Sequence, residues 1–168
     1  PSPPSTPTAS CWTAWSTSVS ADVLIAGAGP GGSAAAILLA RAGLSVTVVD
    51  RAAFPRDKPC SEYMSPEALR VLHRLGVLED LEAAGSPLEG TILTASRGAR
   101  LDGAFARAGH RPFRPAGLSV ARRLLDARLV EAARAAGATV LERLTVEDLI
   151  YDDGAVGGAV VRDATGSR

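Results

Sequence analysis

Asp22-Val-Leu-Ile-Ala26 runs directly into Gly27-Ala-Gly29-Pro30-Gly31-Gly32, then Ser33 to Ala42, and Ser45-Val-Thr-Val-Val49 closes on Asp50. The first piece is a short apolar run of strand type, the second a glycine-proline cluster, and the third a stretch of strong helix formers. Gly43 stops that helix, and the alternating Ser45–Val49 segment predicts a second strand. The glycines satisfy G-x-G-x-x-G, a weak pattern alone. Here it sits between a strand and a helix, and Asp50 follows the second glycine by roughly 20 residues at the end of the next strand, the context a dinucleotide site requires. Gly27 permits the tight turn, Gly29 lets the backbone approach a pyrophosphate, and Gly32 allows close helix–strand packing. Pro30 and Gly31 open the helix, whose free N–H groups and positive end favour phosphate. Asp50 is placed to accept hydrogen bonds from ribose hydroxyls and disfavours a 2′-phosphate. An unoccupied glycine-rich turn of another α/β protein is the alternative.

The residues from Val23 to Ala40 carry no charge, enough to trip a hydropathy scan for a membrane span. A spanning helix would not place four glycines and a proline in its first half. Strand, turn and buried helix account for the same apolar count, as in parallel-sheet folds covered on both faces.

Working outward, Arg51 to Cys60 is a Pro-rich, charged connection. Ser65-Pro66-Glu67 predicts a helix start, with Ser at the N-cap and Pro in the first turn, running to about Leu75 and stopping at Gly76. A short helix follows around Leu78 to Ala84. Thr91–Ala95 and Ala99–Leu101 are expected as strands of a less regular region. Val120 to Ala136 is the longest periodic helix, with Leu124, Leu125, Leu129, Val130 and Ala133 in one apolar stripe. Gly137 ends it, and a third parallel strand is expected near 138–141. Val146–Tyr151 and Ala155–Val161, joined through Asp152-Asp153-Gly154, predict an antiparallel hairpin near 146–161. The fold class expected is therefore α/β and Rossmann-like, with parallel strands near 22–26, 45–50 and 138–141.

Composition narrows the function. The 168 residues hold 18 Lys+Arg against 18 Asp+Glu, a net charge of zero, with 46% hydrophobic and 4% aromatic residues. One compact domain is the prior at this length. A nucleic-acid partner is not expected, since it would need a cationic surplus. Two cysteines, Cys11 and Cys60, build no disulfide framework, and a reducing, cytoplasmic setting is the expectation. Residues 1–20 are uncharged and rich in Pro, Ser and Thr, and read as a disordered tail rather than a secretory signal. Residues 21–168 read as one domain. No Cys/His/Asp spacing suggests a metal, and His73 and His110 lie far apart.

The glycine turn serves FAD and NAD alike. The spacing continues through Ala36, Leu39 and Gly43, which presents small residues to the sheet. Two further stretches carry a resemblance: Asp50-Arg51-Ala-Ala-Phe54-Pro55-Arg56-Asp57-Lys58-Pro59-Cys60 leading into Ser65-Pro66, and Arg122-Arg-Leu-Leu-Asp126-Ala-Arg-Leu129 with Gly137-Ala-Thr-Val behind it. From Asp22 onward the chain resembles the FAD-dependent oxidoreductases of the p-hydroxybenzoate hydroxylase fold, within them the geranylgeranyl-reductase-like dehydrogenases and their monooxygenase and halogenase relatives. Ser61 stands where that group has glycine.

The resemblance implies an FAD site with Arg51 against the adenosine half, Arg122 reaching the cofactor from its helix, and Cys60 near the isoalloxazine ring, with NAD(P)H as a candidate electron donor. Arg51 as a solvated arginine, Arg122 as a helix-surface ion-pair partner and Cys60 as an inert cysteine are the competing readings. No catalytic residue is identified. The group's two later motifs, an Asp-Gly turn and a Gly-Asp segment, are not found in this sequence, so the chain is expected to be the N-terminal, incomplete part of a flavoprotein, with an unpaired sheet edge. The function expected is flavin-mediated electron transfer to a small, hydrophobic substrate's double bond or to O₂. An inactive dinucleotide-binding module and an NAD-binding reductase domain are the alternatives.

Overall fold

A computed structural model describes residues 19–105 and 111–163. The first eighteen residues of the expected tail, and His110, lie outside the described residues.

The opening pattern folds as a β-turn-α-β unit: β1 (Val23–Ala26), α1 (Pro30–Arg41) and β2 (Val46–Asp50). All five residues of β2 are buried, as expected of a strand flanked on both sides and covered on both faces. It pairs in parallel with β1, Val23 opposite Val46 and Ala26 opposite Val49. On its other side it pairs in parallel with β8 (Thr139–Glu142), Thr47 opposite Thr139 and Asp50 opposite Glu142. The sheet order is thus β1-β2-β8. Among the described residues β1 has β2 as its one partner and leaves an open edge, on which Leu24 is exposed. Asp22 ties the entry of this layer: its carboxylate accepts from the Ser45 N–H and hydroxyl at 2.8 and 2.7 Å.

Helix α2 (Pro66–Leu75) starts where the sequence places it. The Ser65 hydroxyl accepts from the Ala68 N–H, and Gly76 ends the helix at φ 78°, the left-handed region. The Arg41 guanidinium, at the end of α1, donates to the Arg74 and Leu75 carbonyls at 3.0 and 2.9 Å and so locks α1 onto the last turn of α2. Helix α3 (Leu78–Ala84) and helix α4 (Arg122–Ala135) complete the helical cover. Ile37, Leu69, Leu75, Leu78, Leu81, Leu129, Val48 and Val130 are fully buried in one continuous core between these helices and the sheet.

The expected Thr91–Ala95 and Ala99–Leu101 strands form a hairpin of β5 (Gly90–Thr94) and β6 (Arg100–Ala104), a register ending with Thr94 opposite Arg100. The second hairpin is longer than expected, β9 (Leu144–Asp152) against β10 (Ala155–Asp163), with two irregularities of register. Three short strands were not legible in the sequence: β3 (Tyr63–Met64), β4 (Ser86–Leu88) and β7 (Gly117–Ser119). They make an antiparallel sheet in the order β3-β7-β4, with β7 central and buried. Strands of two or three residues show no period, and each meets a partner far away in sequence, so only the tertiary fold creates them.

Among the described residues no helix is long and apolar enough to cross a membrane. The uncharged Val23–Ala40 stretch is divided between β1, the glycine turn and α1.

Candidate functional site

The turn between β1 and α1 is held from three directions. The Gly27 N–H donates to the Val49 carbonyl at 2.7 Å. Gly27 sits at φ 102°, a conformation side-chain-bearing residues rarely adopt. A Cβ on Gly32 would run into the Gly27 carbonyl oxygen, so this position must be glycine for helix and strand to meet. The Ser33 hydroxyl donates to the Ala28 carbonyl at 3.0 Å, and both are buried.

Asp50 closes the site from the end of β2. One carboxylate oxygen accepts from the Ala28 N–H and the other from the Ala52 N–H, both at 2.8 Å. The side chain is therefore aimed at the turn, on the side the dinucleotide reading requires.

A cleft of about 730 Å³ opens here, walled by the glycine turn, Asp50 to Ala52, Arg56 to Pro59 and Leu144 to Val146. Helix α1 begins at its floor with Gly29 at the N-cap, Pro30 next, no side-chain cap and no acidic residue in the first turn. The backbone N–H groups of a helix's first turn have no partner within the helix, and its positive end favours an anion. A Cβ on Gly31 would meet nothing within 4 Å, so the cleft leaves room where a ligand would pass. These residues fit a dinucleotide diphosphate.

Of the expected residues, Gly27, Gly29, Pro30, Gly31, Gly32, Asp50 and Arg51 line this cleft together. Cys60 and Arg122 do not. They line a second cleft of about 380 Å³ whose walls are largely apolar, among them Ala34, Leu72, Leu75, Leu125 and Leu129. Pro30 belongs to both clefts, and Pro59 of the first precedes Cys60 of the second.

The expected pairing of Arg122 with a carboxylate is found, within its own helix. Its Nε and Nη2 donate to the two oxygens of Asp126 at 2.9 and 3.0 Å. Asp126 is wholly buried, 0% exposed, within what the sequence presents as an apolar stripe. Arg122 shares this cleft with Cys60, and its guanidinium is held more firmly protonated than usual, first by Asp126 and then by the Cys60 thiol. The exposed Cys60 thiol is pulled below its ordinary pKa, first by a hydrogen bond from the backbone of Glu62 and then by Arg122. Glu62 itself sits at φ 57°, an uncommon backbone for a side-chain-bearing residue.

Two residues outside the expected cofactor-binding set complete the arrangement. Arg56 places Nη2 3.3 Å from Asp126 Oδ2, and its guanidinium lies 5.1 Å from the centre of the Phe54 ring. A Cβ on Gly29 would lie 3.8 Å from that same Nη2, so Arg56 covers the helix N-cap. The other is Asp126. Its signal was present, a carboxylate four residues after Arg122 and three before Leu129, where a solvated helix face would not put it. The Phe54–Cys60 connection that carries Arg56 is anchored to the sheet by Glu142, which accepts from the Phe54 N–H at 3.3 Å and from Arg134 at 2.7 Å.

His73 is exposed, 3.2 Å from Glu79, and belongs to neither cleft. Among the described residues there is no group of three or more potential metal ligands.

Residues 20–168 match the family model of the FAD binding domain. This chain belongs to that family. The FAD binding domain is 39% identical over 148 residues to a menaquinone reductase of Mycolicibacterium smegmatis, which covers 85% of this chain and 34% of the relative. It is 30% identical over 148 residues to squalene monooxygenase 1,1 of Brassica napus, 88% of this chain and 29% of the relative. Among solved structures it superposes on the myxobacterial chondrochloren halogenase, described as an FAD-dependent halogenase, with a TM-score of 0.77 and 26% identity over 88% of this chain and 34% of that one. The chain thus spans about a third of the length of each. Its cofactor is FAD, and its α/β fold is that of flavin-dependent oxidoreductases.

Proposed function

We propose that this chain supplies the dinucleotide-holding, N-terminal part of a longer FAD-dependent oxidoreductase. The observation that carries this reading is the α1 N-terminus, uncapped and free of acidic residues, opening on the cleft toward which Asp50 is fixed. Gly27 makes the turn and Pro30 opens the helix, Gly29, Gly31 and Gly32 bring backbone amides to the diphosphate, Asp50 accepts from the adenosine ribose hydroxyls, and Arg51 lies beside the adenosine half. Cys60 and Arg122, in the neighbouring cleft that shares Pro30, face the flavin-ring end.

When bound, FAD supplies a reversible electron store, filled by a reduced donor such as NAD(P)H and emptied onto a substrate double bond or O₂. The protein's share is binding, orientation and electrostatic tuning. Similarity to a menaquinone reductase supports the first outlet, and similarity to a squalene monooxygenase the second. The apolar walls of the second cleft support a small hydrophobic substrate, and the unbridged Cys60 thiol supports a cytoplasmic setting.

Titration of the purified chain with FAD, followed by flavin fluorescence and the visible spectrum, tests the reading. Saturable binding at one FAD per chain is expected. No spectral change would reduce the chain to a vestigial module, and protection from proteolysis by NADH and not FAD would favour a nicotinamide site. For the longer protein, product formation without O₂ selects the reductase outlet.

A further inference from the structure

We propose that Asp126 is a positioning residue: one buried carboxylate fixes Arg56 over the mouth of the glycine turn and Arg122 beside Cys60, so that a single anion orients one cation in each cleft.

Asp126 is fully buried while the side chains of Arg56 and Arg122 are 16% and 13% exposed. Arg122 holds it with the fork of two parallel bonds that a carboxylate accepts best. Arg56 Nη2 lies 3.3 Å from Oδ2, the oxygen that Arg122 Nη2 also bonds. Two guanidinium groups sharing one carboxylate would repel each other without it, and a lone cation in that place would lack compensation for lost hydration. The cluster carries two positive charges against one negative, so a net cation faces the clefts.

Arg56 also has a donor to spare. Its Nε is buried with no hydrogen-bond partner, which is costly unless something accepts from it. With its Nη2 3.8 Å from the Cβ position of Gly29 and the residue lining the diphosphate cleft, the guanidinium is placed to meet a phosphate oxygen. This part rests on the reading of the first cleft given above. The Arg122 arm is independent of it, because Cys60 reports on Arg122 whether or not FAD is present.

Charge and position predict opposite signs. If Asp126 only neutralised its surroundings, Asp126→Asn would tighten binding of an anionic dinucleotide and lower the Cys60 thiol pKa, since a negative charge disappears. If it positions the arginines, both leave their stations: FAD binds about tenfold more weakly, the worth of one charge-assisted hydrogen bond, and the Cys60 alkylation profile moves to higher pH. The experiment measures both in the full chain carrying Cys11→Ser, with FAD and iodoacetamide as probes and circular dichroism as the check on folding. The FAD loss should shrink when Asp126→Asn is introduced into Arg56→Gln, what is left passing through Arg122. Should Asp126→Asn not fold, Asp126→Glu, which keeps the charge but moves it by one methylene, is expected to change both readouts in the same directions.

Unchanged or tighter FAD binding together with an unchanged or lowered Cys60 profile would overturn the proposal. If the unmodified chain fails to bind FAD, the reading of the first cleft falls, and the direction of the Cys60 shift alone decides the role of Asp126.

Discussion

The parallel layer and the two antiparallel hairpins are built from similarly apolar sequence but differ in what covers them. Every residue of β2 is buried, and the helices above it share one core. The β5–β6 hairpin instead shows all five residues of β6 exposed, and Ile92, Leu93 and Leu101, the last at 64%, face outward. Leu149, Ile150, Tyr151 and Val156 do the same on β9–β10. Specificity therefore resides in the covered layer: burial fixes register and side-chain placement around the glycine turn, while the hairpins hold their shape by ladder hydrogen bonds with these apolar side chains exposed.

That contrast can be broken most sharply at Gly32. Gly32→Ala forces a methyl into the Gly27 carbonyl, and a loss above about 3 kcal/mol is expected, read as a collapsed unfolding midpoint in urea. Gly31→Ala, whose methyl would meet nothing within 4 Å, should leave that midpoint nearly in place and weaken FAD binding. In the core, Leu129→Ala should cost about 2–5 kcal/mol, whereas Leu101→Ala on the exposed hairpin should stay within about 0.5 kcal/mol; equal losses at the two sites would erase the distinction between the regions.

Asp50→Asn is expected to lie between these. The amide can still accept from one of the Ala28 and Ala52 N–H groups but presents a donor to the other, at a cost of about 1–3 kcal/mol. At Cys60 the readout is chemical. With its thiol lowered, alkylation should gain speed at a pH below the roughly 8.5 of a free thiol, and Arg122→Gln should move the profile upward.

The smallest effect is at Asp22, where hydrogen bonds from Ser45 hold the carboxyl below its usual range. A depressed folded-state value stabilises above the unfolded carboxyl range, near pH 4, and the contribution fades as pH falls through the folded value. The small Tm difference between Asp22→Asn and the parent should therefore be present at pH 7 and absent in strong acid.

Much of this was legible locally. The β1-turn-α1-β2 unit announces itself because each residue type is demanded by its immediate neighbours, and Ser65, Pro66 and Gly76 bracket α2 for the same reason. The cleft at the glycine turn followed, since Asp50 is placed by strand length alone. What stayed hidden depends on distant partners: β7 exists only because Tyr63–Met64 and Ser86–Leu88 arrive on either side of it. Arg122 and Cys60 were matched through resemblance, but the separation into two clefts needed three dimensions. The burial of Asp126 stayed hidden for another reason. A carboxylate on an apolar stripe conflicts with helix periodicity, and such a conflict is where a buried polar cluster should be sought.

The pair of backbone bonds that grips Asp50 has a kinetic corollary. A carboxylate already immobilised by Ala28 and Ala52 would surrender no rotamer freedom to the ribose proposed for it, so its ordering entropy is charged to folding rather than to capture. Loosening either amide would then be felt as faster escape of the nucleotide, with encounter itself proceeding at the same pace.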